Sequence, residues 1–146
     1  MRALASVALA SVALAAVVAG CAVGLGPLPA EVEDLVDYLE RRSFRLTPDA
    51  TAYDTAFERV DPEAHVVSFR VRAAGLTLER QRSAGAILDV YRFGSAAKAE
   101  SGIAGLRRIH SRGDLYVEGT TVVHVRGREP DLDLALVRRY GTPLDV

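Results

Sequence analysis

Four apolar residues, Val32, Leu35, Val36 and Leu39, recur at i, i+3, i+4 and i+7. That spacing predicts an amphipathic helix with one core-facing stripe. Pro29 suits its first turn, Glu31, Glu33 and Asp34 sit near its positive end, and Arg41 and Arg42 near its negative end. Phe44–Leu46 starts a strand, and residues 47–64 read as loop, with a short element around Ala56–Val60. Val67, Phe69 and Val71 then alternate with Ser68, Arg70 and Arg72, the period of a half-buried strand. Leu76–Glu79 and Ile87–Phe93 follow as two further strands across short turns, which favours antiparallel hairpins. Ser95 caps a helix running to about Ile109, with Ala96, Ala99, Ile103 and Leu106 as its apolar stripe. Gly102 and Gly105 weaken that helix but allow close packing on a sheet. Leu115–Glu118 and Thr121–Val125 form a hairpin around Gly119-Thr120. A last helix opens at Pro130 and stops before Gly141 and Pro143, with Leu132, Leu136 and Tyr140 on one face. The expected fold is α+β: an antiparallel sheet of about five strands, two or three helices packed on one face, order α-β-β-β-α-β-β-α.

The first 20 residues follow a different pattern. Ala3–Ala19 are apolar apart from Ser6 and Ser11, behind a single basic side chain, Arg2. This is the layout of an export signal. Val18-Ala19-Gly20-Cys21 closes it and resembles the bacterial lipobox: an aliphatic residue, two small ones, then cysteine. The resemblance implies a diacylglyceryl thioether on Cys21, cleavage before it, and fatty acylation such as palmitate on the new amine. Two or three chains anchor stably, at about 0.8 kcal/mol per buried CH₂. Cys21 is also the one cysteine in the chain, so no internal disulfide can form. Three segments result: residues 1–20 as signal peptide, 21–29 as lipidated cysteine and tether, and 30–146 as one α+β domain.

Composition narrows the function classes. The formal net charge is −1, so total charge gives no nucleic-acid footprint. Arginine supplies nearly all the basic residues, Lys98 being the one lysine. Tryptophan is absent, which argues against a carbohydrate platform or aromatic cage. His65, His110 and His124 lack helical or hairpin ligand spacing, so no metal site is expected, and His124 reads as a sheet histidine. There is no Gly-x-Ser-x-Gly elbow and no phosphate loop. Asp131 and Asp133 suit a helix start, and Arg112-Gly113-Asp114 suits a turn. No catalytic residue and no cofactor is assigned. One constellation remains as possible anion-binding chemistry: Arg70, Arg72 and Arg80 on neighbouring strands, with Glu79 and Asp89 as cross-strand partners in the alternative of a solvated face.

The chain also resembles a set of small, uncharacterised bacterial lipoproteins. The likeness rests on Asp37-Tyr38-Leu39, on Leu88-Asp89-Val90-Tyr91-Arg92-Phe93, on the Ala-rich helix after Gly94, and on Leu115–Gly119 followed by Val122-Val123. It implies fold and location, with no established activity. The reading is a non-enzymatic envelope lipoprotein, held at a membrane by its lipid, whose role is interaction or structural support. Its expected partners are the membrane and an envelope protein or anionic polymer. The alternative is a binding module that takes an anionic ligand on the arginine-bearing sheet face.

Overall fold

The structure, a computed structural model, describes residues 27–49, 64–74, 85–110 and 112–145. In chain order the elements are α1 (Ala30–Glu40), β1 (Phe44–Pro48), β2 (His65–Ala73), β3 (Ala86–Arg92), α2 (Ala96–Ile109), β4 (Asp114–Glu118), β5 (Thr121–Arg126), α3 (Pro130–Tyr140) and β6 (Leu144–Asp145). The strands form one sheet in the order β1-β2-β3-β5-β4-β6, every neighbouring pair antiparallel. Five are full strands, and β6 adds a two-residue edge on β4. The fold is the expected α+β, with the expected order up to α3. The expected strand at Leu76–Glu79, the short element at Ala56–Val60, Arg80, and the Val18–Cys21 motif lie outside the described residues.

Alternation along the strands assigns the two faces. Val67, Phe69 and Val71 of β2 point to the same side as Leu88 and Val90 of β3 and Val123 and Val125 of β5. That side buries Val32, Leu35 and Leu39 of α1 with Leu132, Ala135 and Leu136 of α3. The helical stripes of α1 and α3 therefore meet one sheet face, as the periodicity predicts. Tyr38 ties the two helices together, its hydroxyl donating to the Ala135 carbonyl at 2.7 Å.

The third helix sits on the opposite face. Ala99 and Leu106 of α2 pack on Val66, Tyr91, Phe93, Leu115 and Val122. Its buried stripe is Ala99, Gly102, Gly105 and Leu106, while Ala96 is exposed. Gly102 belongs to the stripe because the Phe93 ring occupies the place a side chain would take. Ser95 caps this helix, its Oγ accepting from the Lys98 N–H at 3.2 Å.

The remaining boundaries have local causes. Gly119 takes φ +57 in the β4–β5 turn, a conformation that suits glycine. Gly141, at φ +86, ends α3 and donates its N–H to the Val137 carbonyl at 2.9 Å. Ser43 leaves α1 at φ +64, and its carbonyl accepts the Ala74 N–H. The Ala74–Ser43 and Asp49–Ser68 bonds turn the odd residues of β1 toward β2. Pro48, which has no N–H, therefore faces the outer edge, the position a sheet tolerates.

Candidate functional site

Among the described residues, helix α2 is the one element packed on this face of the six-stranded sheet, and none covers its β1 end. Arg45 of β1, and Arg70 and Arg72 of β2, project on this side and are exposed. Arg45 and Arg72 are directly opposite one another across the β1–β2 ladder. Among the described residues, no carboxylate lies within ion-pair distance of either. Arg70 stands opposite Thr47 and donates to Asp49 Oδ2 at 2.7 Å. Arg70 and Arg72 thus share a face, as the alternation predicts, and the cation added to them in the described structure is Arg45.

The cross-strand partner expected of these arginines is elsewhere. Asp89 does not face Arg70 or Arg72 as an ion-pair partner but is fully buried in the central strand β3. Its Oδ2 accepts from Arg126 Nε at 2.6 Å and its Oδ1 from Arg126 Nη2 at 2.9 Å. The Ser68 hydroxyl donates to Oδ1 at 2.6 Å. Burial raises the cost of the Asp89 charge, but the His124, Arg126 and Ser68 contacts outweigh it and hold the carboxyl below its ordinary range. The fork-to-fork geometry fixes the plane of the Arg126 guanidinium.

His124 lies beside this clamp in the middle of β5, with no exposed side-chain surface. Its Nε2 is 3.2 Å from the Arg112 carbonyl, which can only accept, so the carbonyl and the Asp89 carboxylate compete for the ring N–H. Its Nδ1 faces Asp89 Oδ2 at 3.6 Å, beyond hydrogen-bond length, and has no other partner. The reading of His124 as a sheet histidine holds for position and for one ring nitrogen. Its ring packs on His110 with centroids 4.4 Å apart, and His110 Nε2 is 3.4 Å from the Tyr91 hydroxyl.

Ser68, Asp89 and His124 do not form a hydrolytic triad. Ser68 and His124 both address Asp89, and the Ser68 proton goes to the carboxylate. Activation of a serine needs the histidine between the other two.

The clamp opens outward through Arg126. Beyond it lies a cleft of about 780 Å³ at the end of β5, lined by Arg112, Arg126 and Arg128 with Asp114 and Asp133. Burial and the nearby Asp114 raise the Asp133 carboxyl above its usual range. Gly113, at φ +125, brings the Arg112–Asp114 turn against His124 and the Val125 carbonyl, where no side chain fits. No protein-family model matches this chain, and no curated protein or solved structure matches it either. The site's chemistry therefore rests on its own geometry. Among the described residues no cluster of three or more potential ligands could hold a metal ion, and no helix is long and apolar enough to cross a membrane.

The alternation of β2 points to Arg70 and Arg72 but carries no signal for Arg45 or Arg126. For Arg126 the available signal was Asp89 itself: a carboxylate between Leu88 and Val90, in a strand apolar on both sides, requires a cation from another strand.

Proposed function

We propose that this chain is an exported lipoprotein, anchored through Cys21, whose α+β domain is a binding and interaction module rather than an enzyme. The domain takes anionic groups on the arginine-bearing part of its sheet. The observation that carries this is the exposed, directly opposed pair Arg45 and Arg72, with Arg70 beside it. Guanidinium groups bind carboxylate and phosphate in a bidentate geometry, so adjacent forks suit a multiply charged partner. The likeness to small bacterial lipoproteins and the Val18-Ala19-Gly20-Cys21 motif support the location.

Two measurements test the proposal. Mass spectrometry of the mature N-terminus gives a diacylglyceryl Cys21, and an unmodified Cys21 or a chain retaining Arg2 refutes the anchor. Charge reversal at Arg70 and Arg72 removes binding to an anionic polymer such as polyphosphate with little change in stability. Binding that survives the reversal refutes the arginine face.

A further inference from the structure

A row of polar groups crosses the middle of the sheet on its α2 side. Ser68 stands opposite Asp89 in the β2–β3 ladder, and Asp89 stands opposite His124 in the β3–β5 ladder. All three are buried, Asp89 and His124 completely. An ionised carboxylate offers about four lone-pair sites. The Ser68 hydroxyl and Arg126 Nη2 fill two on Oδ1, and Arg126 Nε fills one on Oδ2. The site left over is on Oδ2, the oxygen that His124 Nδ1 approaches at 3.6 Å.

His124 therefore stands between two groups that only accept. The ionised Asp89 faces Nδ1, and the Arg112 carbonyl faces Nε2 at 3.2 Å. A neutral imidazole has one N–H and serves one of them. The other then faces a bare ring nitrogen and goes unserved in the interior, which carries the full desolvation penalty. An imidazolium has two N–H groups and serves both. Its second proton draws Nδ1 toward Oδ2, from 3.6 Å to the roughly 2.8 Å of a charge-assisted bond.

The neighbouring elements bring further charges to the ring. Arg126, two residues along β5, opposes a second cation, but its Nε and Nη2 are bound to Asp89 and about a third of its side chain reaches solvent. Arg70, one row further on β2, is held by Asp49 at 2.7 Å. His110, at the end of α2, stacks on His124 with centroids 4.4 Å apart, so the two rings compete for one charge. His110 Nε2 meets the Tyr91 hydroxyl at 3.4 Å, whereas His124 meets the carboxylate. On the β4 side the opposite residue is the apolar Leu115.

The other ring nitrogen couples this chemistry to the surface. Gly113, at φ +125, packs against it so closely that a Cβ there would collide with Nε2. Arg112, Gly113 and Asp114 form one wall of the cleft at the end of β5. We propose that His124 is a proton-operated latch on that wall. With two ring protons it bonds both the Arg112 carbonyl and Asp89, and fixes the Arg112–Asp114 turn to the sheet. With one proton it holds the turn or Asp89, not both, and the turn loosens. Histidine changes charge between about pH 5 and 8, so the latch closes as pH falls through that range and opens as pH rises. It needs neither the lipid anchor nor Arg45 and Arg72.

The test is nuclear magnetic resonance on the full chain in detergent micelles, with labelled histidine ring nitrogens and a labelled Arg112 carbonyl carbon. The expected result is a His124 ring with two protons at about pH 5 and one at about pH 8, and an Arg112 carbonyl resonance that moves over the same range. His124→Gln should abolish the carbonyl movement, and His110→Gln should leave it in place. Asp89→Asn removes the anion, so the midpoint of the His124 titration should fall by about one pH unit or more. A His124 ring that keeps the same number of protons across the range overturns the latch. So does a carbonyl movement that survives His124→Gln or disappears in His110→Gln, since the proton would then belong to His110. A midpoint left in place by Asp89→Asn overturns the part played by Asp89. If His124→Gln does not fold, the wild-type and Asp89→Asn titrations still decide, because both read the ring directly.

Discussion

Asp89 holds Arg126 from within the sheet, with two charge-assisted bonds of 2.6 and 2.9 Å across the β3–β5 pair. The carboxylate is fully buried while about a third of the Arg126 side chain reaches solvent. The interaction thus joins the core to the surface cleft. Hydrogen bonds to charged groups contribute about 1.5–3 kcal/mol, and removing one partner of a buried pair costs about 3–5 kcal/mol. Arg126 can rehydrate, so Asp89→Asn should lower unfolding free energy by about 2–3 kcal/mol in urea titration. A loss under about 0.5 kcal/mol would show that the clamp is dispensable.

Acid and alkali should act on different residues. The Asp89 carboxyl is held below its ordinary range, so its contribution is complete above the unfolded value of 3.8 and drains away as pH falls through the lower folded value. Wild-type stability should therefore drop on the acid side, and Asp89→Asn should remove that part of the slope. Tyr116 behaves oppositely. Burial, then Asp114 and Asp133, push its hydroxyl up to about 12 from the usual 10.0. Its contribution is complete below pH 10 and is lost as pH rises toward 12. The Tyr116 hydroxyl is buried without a hydrogen-bond partner. Tyr116→Phe should thus flatten the alkaline limb and leave neutral-pH stability unchanged or higher by up to about 1 kcal/mol. Chemical denaturation from pH 3 to 12 measures both. An unaltered alkaline limb in the phenylalanine variant would contradict this.

Two glycines with positive φ should respond differently to the same change. Gly113 lies against the His124 ring and 2.5 Å from the Val125 carbonyl when a Cβ is built on it, whereas Gly119 faces open space. Gly119→Ala carries only the backbone penalty, about 1–2 kcal/mol in the left-handed region. Gly113→Ala adds a collision with backbone and should cost several kcal/mol, since overpacking alone adds about 1–3. Comparable midpoint shifts in the two variants would mean the turn at Arg112–Asp114 can move. Ser43, at φ +64, is the converse case. Ser43→Gly relieves the strain and should raise stability by up to about 1 kcal/mol, readable in the same titration.

Much of this architecture is legible in residue order. The stripe at Val32, Leu35 and Leu39, the alternation from Val67 to Val71 and the Ser95 cap each encode a local decision, and local decisions determine most boundaries. What is not legible is which side of the sheet a helix covers. Nothing local to α2 places it opposite α1 and α3, and its buried stripe departs from the apolar pattern because Gly102 and Gly105, which carry no hydrophobicity, are buried. The site follows the same division. Alternation puts Arg70 and Arg72 on one face, but Asp89 and Arg126 are 37 residues apart and meet only once β5 inserts between β3 and β4.

Arg45 and Arg72 supply the last prediction. Like charges directly opposite in a ladder destabilise it, by roughly 0.2–1 kcal/mol. Arg72→Glu converts repulsion into a cross-strand pair, so it should raise unfolding free energy by up to about 1 kcal/mol in low salt. The gain should shrink near 1 M salt, where the screening length is about 3 Å. Arg70→Glu is the control. It sets a carboxylate beside Asp49 in place of the 2.7 Å ion pair and should be neutral to slightly destabilising. If the arginine face binds anions, Arg72→Glu weakens polyphosphate binding while stabilising the fold. Opposite signs in the two measurements would identify a repulsion that the sheet carries for binding rather than for folding. A variant that is neither more stable nor weaker in binding would mean the opposed pair is ordinary solvated surface.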